Sequence, residues 1–369
     1  MPFESGAISC SMFHVPRLPE DAIERFARAA APPLHTLGNG EIRGWVGGRH
    51  WLDVPITEEN ARCAGYLCLS FLRAERRAPA ALVRAYCRLE ELALQRAEGL
   101  PFLNSRRRAE IRRAVMERLR PEMPPQLRAI PFVHLAPRGL VLAQTSTDAQ
   151  RDLFAVEFFK AVGEKPEPLT PSSLAWTRRR VATDEWGRTS FSPEIPDDDS
   201  SAGAGAQFLT WLWFATEQRG GQIRTRDEGE FALALDGPLV FYREGDGAHE
   251  TLVRRGAPLL SAEAKTCLLA GKTLRSARLL LARGDEEWRT TLAADRFVLR
   301  GLRLPEERGP RRAFDPASRF EERMFALDRF LEALFTWYDA FVDERTDPER
   351  WQATRREIHD WVSSRKARR

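Results

Sequence analysis

Apolar positions along the first 180 residues switch between a period near two and a period near 3.6, which predicts strands and helices in mixed order. Ile8 to Val15 reads as a strand. A helix follows, with Pro19 near its start and Ala22, Ile23, Phe26 and Ala30 on one face. Ile42 to Val46 and Tyr66 to Leu72 read as strands, the second with Leu67, Leu69 and Phe71 alternating with Ser70. From Pro79, a stripe of Leu82, Ala85, Tyr86, Leu89, Leu92 and Ala93 predicts a helix that Gly99 and Pro101 stop. Ser105 is placed to cap a second helix with the narrow stripe Ile111, Val115 and Leu119. Ile130 to Leu135 and Gly139 to Gln144 form a hairpin around Pro137-Arg138-Gly139. Thr147 with Gln150 then starts a helix carrying Leu153, Val156, Phe159 and Val162.

The pattern changes after residue 180. Val181 to Ala206, with Asp197-Asp198-Asp199-Ser200-Ser201 ahead of Gly203 and Gly205, reads as an acidic Gly-rich linker or insert. Phe208 to Gln218 is a short helix. Phe231 to Leu235 and Leu239 to Tyr242 are strand-like runs joined by Asp236-Gly237-Pro238, and Ser261 caps a short helix that Gly271 ends. Leu274 to Ala282, Trp288 to Ala293 and Phe297 to Leu304 predict a three-strand meander. After a charged connector, Phe320, Met324, Leu327, Leu331, Leu334, Tyr338 and Phe341 line a long amphipathic helix, and Asp347-Pro348 starts a last one. The expected class is α+β, with mixed helices and antiparallel sheets. The expected divisions are 1–180 with a helical arm at 79–125, the insert 181–206, a second α+β unit with a β-meander at 207–305, and a C-terminal helical extension at 306–369. No solenoid repeat is visible.

Composition narrows the function classes. No apolar run is long enough to span a bilayer, and Met1 to Ser11 lacks a basic n-region and an apolar core, so a cytoplasmic protein is expected. Five cysteines, Cys10, Cys63, Cys68, Cys87 and Cys267, never form C-x-x-C and read as small buried hydrophobes. Net charge is +4, and all but five of the 57 basic residues are Arg, which contacts phosphates bidentately where Lys cannot. The Arg residues cluster at 106–108 with 112 and 113, at 178–180, 254–255 and 311–312, and in the tail 365–369. Such clusters are the footprint of nucleic-acid binding, although each taken singly also reads as a solvated helix face.

Catalytic patterns are missing. Ala270-Gly271-Lys272-Thr273 holds only the end of a P-loop pattern and leads into a strand where a P-loop leads into a helix. No two of the six His residues stand at helical metal-ligand spacing, so no metal or cofactor is expected. Asp197, Asp198 and Asp199 sit in the linker-like segment, whereas a two-metal nuclease needs carboxylates on rigid elements. The run Phe208 to Phe214 has rings that can stack on bases, but its helical spacing favours core packing.

The order of elements resembles the RdgC family of recombination-associated DNA-binding proteins. The matching features begin with the opening strand and helix, then Gly44-Trp45-Val46. They continue with the arm ending in Leu119-Arg120-Pro121, the hairpin Ile130 to Gln144, and Gly163 before Pro168-Leu169-Thr170-Pro171. Leu209-Thr210-Trp211, Leu260-Ser261-Ala262-Glu263, Ala270-Gly271-Lys272 and the strand Val298 to Arg303 complete the match. The resemblance implies horseshoe-like monomers paired into a ring-shaped homodimer whose basic hole admits duplex DNA. It also implies binding of double- and single-stranded DNA with little sequence preference, antagonism of a recombinase, and association with the nucleoid. The expected DNA contacts are Arg106, Arg107, Arg108, Arg112 and Arg113 on the arm, with Lys272, Arg275, Arg278, Arg300 and Arg303 in the second unit. Arg300 and Arg303 stand three apart, so simple alternation puts them on opposite faces unless a bulge at Gly301 intervenes. The arm's tip, a dimer contact in the family, is expected near Met123 and Pro124. The chain departs from the family in its acidic insert and its longer C-terminal helices. The alternatives are a metal-dependent DNA exonuclease, for which no carboxylate set is visible, and a protein-interaction adaptor using the C-terminal helices.

Overall fold

A computed structural model describes residues 3–38, 40–145, 147–200, 202–243, 249–254, 262–305 and 315–364. Its strands are β1 (Ile8–His14), β2 (Glu41–Gly47), β3 (Arg62–Cys63), β4 (Tyr66–Arg76), β5 (Pro125–Leu135), β6 (Leu140–Ala143), β7 (Glu167–Pro168), β8 (Gln222–Thr225), β9 (Gly229–Tyr242), β10 (Glu250–Val253), β11 (Thr273–Arg283), β12 (Glu286–Ala293) and β13 (Val298–Arg303). The helices are α1 (Ala22–Arg28), α2 (Glu58–Ala61), α3 (Ala80–Glu98), α4 (Ser105–Leu119), α5 (Asp148–Val162), α6 (Pro171–Arg179), α7 (Ala204–Gln218), α8 (Ala262–Leu269), α9 (Pro316–Thr346) and α10 (Pro348–Ser363). The fold is α+β, with one large antiparallel sheet that does not close, in the order β10-β9-β11-β12-β13-β1-β6-β5-β4-β2. Among the described residues no helix is long and apolar enough to cross a membrane.

Two halves of the chain repeat one order of elements. Leaving aside short edge strands, the α3–α4 arm and the helices α6 and α10, α1-β2-α2-β4-β5-β6-α5 is followed by α7-β9-α8-β11-β12-β13-α9. Strand β1 joins them by pairing antiparallel with both β6 and β13. Because β6 and β13 then run parallel to each other, the relation between the halves is a twofold along β1, which exchanges the faces of the sheet. Packing agrees. On one face, α1 and α5 bury Phe26, Phe154 and Phe158 against Trp45, Phe71 and Phe132, with ring centroids 4.8 to 6.2 Å apart. On the other, α7 and α9 cover Leu279, Leu281, Trp288, Leu292 and Leu299. The turns of the two equivalent hairpins clasp the halves reciprocally. Arg138, between β5 and β6, binds Asp328 at 2.9 Å and Glu332 at 2.9 Å on α9. Arg296, between β12 and β13, pairs with Asp148 at the start of α5.

Several expectations change. The main core draws on all four expected segments: Leu142 and Leu174, Phe191, Leu212 and Leu279, and Leu331 and Trp361 are among its members. The C-terminal helices are thus a large part of this core rather than an appendage to it. The described part of 181–206 is a strap across them. Asp197 pairs with Arg355 at 2.6 Å, His359 lies 3.1 Å from the Ser190 carbonyl, and Phe191 packs on Trp351. The runs around Asp236-Gly237-Pro238 form one strand, β9, because β11 pairs with both sides of that tripeptide and absorbs the irregularity in its register. Asn104, not Ser105, caps α4, its Oδ1 accepting from the Arg107 N–H at 2.9 Å. The α3 stripe forms a helix as expected, but apart from Leu82, which packs on the arm's small core, it faces largely outward. Only Val83 of α3 is buried, against Val115 and Leu119, while Leu89 is 63% exposed. A two-helix arm projecting from the ends of β4 and β5 has one partner helix, so a broad apolar stripe cannot all be covered. Ser261 lies outside the described residues.

Candidate nucleic-acid interface

One face of the second half's sheet carries the apolar residues over α7 and α9, and the other is open. Which strand residues reach the open face is set by register. Trp288 and Leu292 are buried, so Arg289 and Thr291 point the other way. Strand β13 would place Arg300 and Arg303 on opposite faces, but Arg303 pairs with Arg289 and Arg300 with Thr291. The extra residue is Gly301, with φ +63° and its N–H donated to Ser9 Oγ at 2.8 Å. This is a bulge with glycine in the left-handed region, where an L side chain is disfavoured. Leu299 and Leu302 therefore both stay buried, and Arg300 and Arg303 both stand exposed beside Arg289. Among the described residues the side chains of Arg300 and Arg303 have no ion pair or hydrogen bond, while Arg289 pairs with Glu287 at 2.7 Å.

The other expected contacts are more tightly held. Arg278 on β11 lies opposite Thr291 and 3.7 Å from Asp236. Arg275 stacks over Tyr242, 5.0 Å from the ring centroid, and pairs with Asp295 at 3.0 Å. Lys272 Nζ donates to Thr251 Oγ1 at 2.6 Å. On the arm, Arg106 pairs with Glu110 at 3.2 Å and Arg107 with Glu98, and both act first within the arm. Arg108, Arg112 and Arg113 are exposed and make no ion pair among the described residues. Met123 and Pro124 lie at the root of the arm, where it enters β5, and the Met123 carbonyl accepts from Arg76. The tip is the loop between α3 and α4, where Phe102 is 72% exposed. The hairpin reverses there because Gly99 adopts φ +65° and Asn104 caps the return helix. Of the remaining basic clusters, Arg178 and Arg179 are held by Asp339 and Asp343 of α9. Arg255, Arg311, Arg312 and Arg365 to Arg369 lie outside the described residues.

The aromatic run on α7 is core. Phe208, Trp211, Trp213 and Phe214 are all buried, with Trp211 Nε1 donating to Glu344 and Trp213 Nε1 to Glu217. Among the described residues no three His, Cys, Asp or Glu side chains converge as a metal-holding group. The Asp197 carboxylate accepts from the Ser190 N–H at 2.7 Å as well as pairing with Arg355. Sequence reasoning missed Arg289. Its signal was its position directly after Trp288 in a strand, which gives the two side chains opposite faces. Comparison with protein-family models and with curated proteins finds no match.

Proposed function

We propose that this chain binds double- and single-stranded DNA through phosphates, without reading base sequence, and pairs into a ring-shaped homodimer of the kind found in the RdgC family it resembles. The observation that carries the reading is the Gly301 bulge, which puts Arg300 and Arg303 on the open face beside Arg289. Like charges opposite one another on a sheet are unfavourable unless an anion lies over them. A polyanion suits such a face, and phosphate contacts position a protein on DNA without specifying sequence. On this reading the protein restrains a recombinase by occupying DNA at the nucleoid and is not an enzyme. The exposed Tyr86, Leu89, Leu92 and Phe102 of the arm form the surface that a second copy covers.

The test is a titration of duplexes and single strands of two unrelated sequences at 50 and 200 mM salt, with and without magnesium. Six or more phosphate contacts would weaken duplex binding roughly a thousandfold between those concentrations. A flat salt response, or strong preference for one sequence, overturns the reading. Magnesium-dependent shortening of the DNA would replace it with the nuclease alternative.

A further inference from the structure

The first half of the sheet carries a second row of cations that the sequence did not bring to attention. Arg43 on β2 stands directly opposite Arg73 on β4, and Arg73 directly opposite Arg128 on β5. Residues directly opposite in an antiparallel sheet share a face, with Cα atoms about 4.5 to 5.5 Å apart. Three guanidinium-bearing side chains thus form a strip across three strands, an arrangement that repels itself. Glu41 is the one carboxylate that pairs directly with it among the described residues, while Glu75, opposite Glu41 on the same face, and Glu157, whose charge reaches Arg43, lie nearby. Glu41 pairs with Arg43 at 2.6 Å and accepts from Arg73 Nε. Partial burial alone would raise the Glu41 carboxyl, but the hydrogen bonds from Arg43 and Arg73 outweigh it and hold it below the usual carboxylate range. One carboxylate serves two of the three cations. Arg128 is exposed and has no partner among the described residues.

Register places this strip on the same side of the sheet as Arg289, Arg300 and Arg303. Arg73 shares a face with Phe71, which stands opposite Ile130, two residues before Phe132. Phe132 is opposite Ala143, and Ala143 is opposite Ser11. Ser9, two residues before Ser11, receives the Gly301 N–H. From β12 to β4 there are five strand spacings, roughly 24 Å at about 4.8 Å each. Duplex DNA carries one charge per about 1.7 Å, so a duplex running past the ends of α1 and α5, which cover Phe71 and Phe132 on this face, has phosphates enough to reach both patches. The strip also lies beside the ends of β4 and β5 from which the arm with Arg108, Arg112 and Arg113 springs.

We propose that Arg43, Arg73 and Arg128 are a second phosphate-binding strip for the same DNA, with Glu41 occupying two of its guanidinium groups until a phosphate displaces it. The proposal rests on the DNA-binding reading above, and it makes Glu41 an internal competitor of the ligand.

Two variants test it on the full-length chain, using a labelled duplex across a salt series. Arg128→Ala should weaken binding severalfold at 50 mM salt and make the salt slope shallower by about 0.9. Glu41→Gln should strengthen binding and steepen the slope. A carboxylate that only balanced charge in the fold would give the opposite result, a lower thermal midpoint with binding unchanged or weaker. If Glu41→Gln does not fold, Arg128→Ala decides alone, since it removes an exposed side chain without a partner. Wild type that binds, weakens on Arg300→Ala/Arg303→Ala, and is unmoved by the strip variants overturns the strip and leaves the reading standing. Wild type that does not bind DNA overturns both.

Discussion

Arg300→Ala combined with Arg303→Ala removes the two exposed cations that the Gly301 bulge brings together. Each phosphate contact contributes about 0.9 to the slope of log affinity against log salt, so losing two should make the slope shallower by about 1.8. Between 50 and 200 mM the logarithm of salt changes by about 0.6. The ratio of wild-type to mutant affinity should therefore shrink roughly twelvefold over that range, whatever its starting value. The fold should be unaffected within about half a kcal/mol, because both side chains are exposed and removing Arg303 relieves its repulsion with Arg289. Fluorescence anisotropy with one duplex at four salt concentrations measures the slopes, and a thermal melt controls for folding. An affinity loss that stays constant across salt would show that the two arginines act through shape or through another residue. No loss at all in a folded mutant would move DNA off this face.

Light scattering at micromolar concentration should give about twice the 42.0 kDa chain mass, and Leu89→Glu on the exposed α3 stripe should shift it toward the monomer; an unchanged dimer would place the interface elsewhere. His134 is buried with its Nε2 unpartnered, and burial pushes its pKa below the ordinary value near 6.5. The unfolded chain therefore takes up a proton that the folded chain resists, so this contribution is full above about pH 6.5 and lost as pH falls toward the folded pKa. His134→Leu should flatten the fall in thermal midpoint between pH 7 and 5, and an unaltered profile would show that other groups set it. Asp197→Asn should cost about 1 kcal/mol by weakening the half-exposed bridge to Arg355, whereas Asp198→Asn should be neutral; equal midpoints would mean the strap is not held there.

Periodicity distinguishes strands from helices in this chain wherever the pattern is long and one face is buried. The hairpin Ile130 to Gln144, the meander from Leu274 and the helix on Phe320 to Phe341 follow from that rule, since a buried face forces the period. The sequence also identified Gly301 as the position where a bulge would unite Arg300 and Arg303. Whether that bulge exists was decided by tertiary structure. Leu299 and Leu302 both have to reach the core over α7 and α9, and Ser9 of β1, far away in sequence, receives the Gly301 amide. Arg43, Arg73 and Arg128 are scattered over 86 positions and become a strip only through strand pairing, which local pattern does not encode. The same holds for the apparent linker and the C-terminal extension. The one reads as an acidic linker and the other as amphipathic helices with no stated partner, but Phe191, Trp351 and Trp361 close a core built from both halves of the chain. The α3 stripe fails in the opposite sense, because periodicity shows that a helix has an apolar face and says nothing about whether this chain supplies something to cover it.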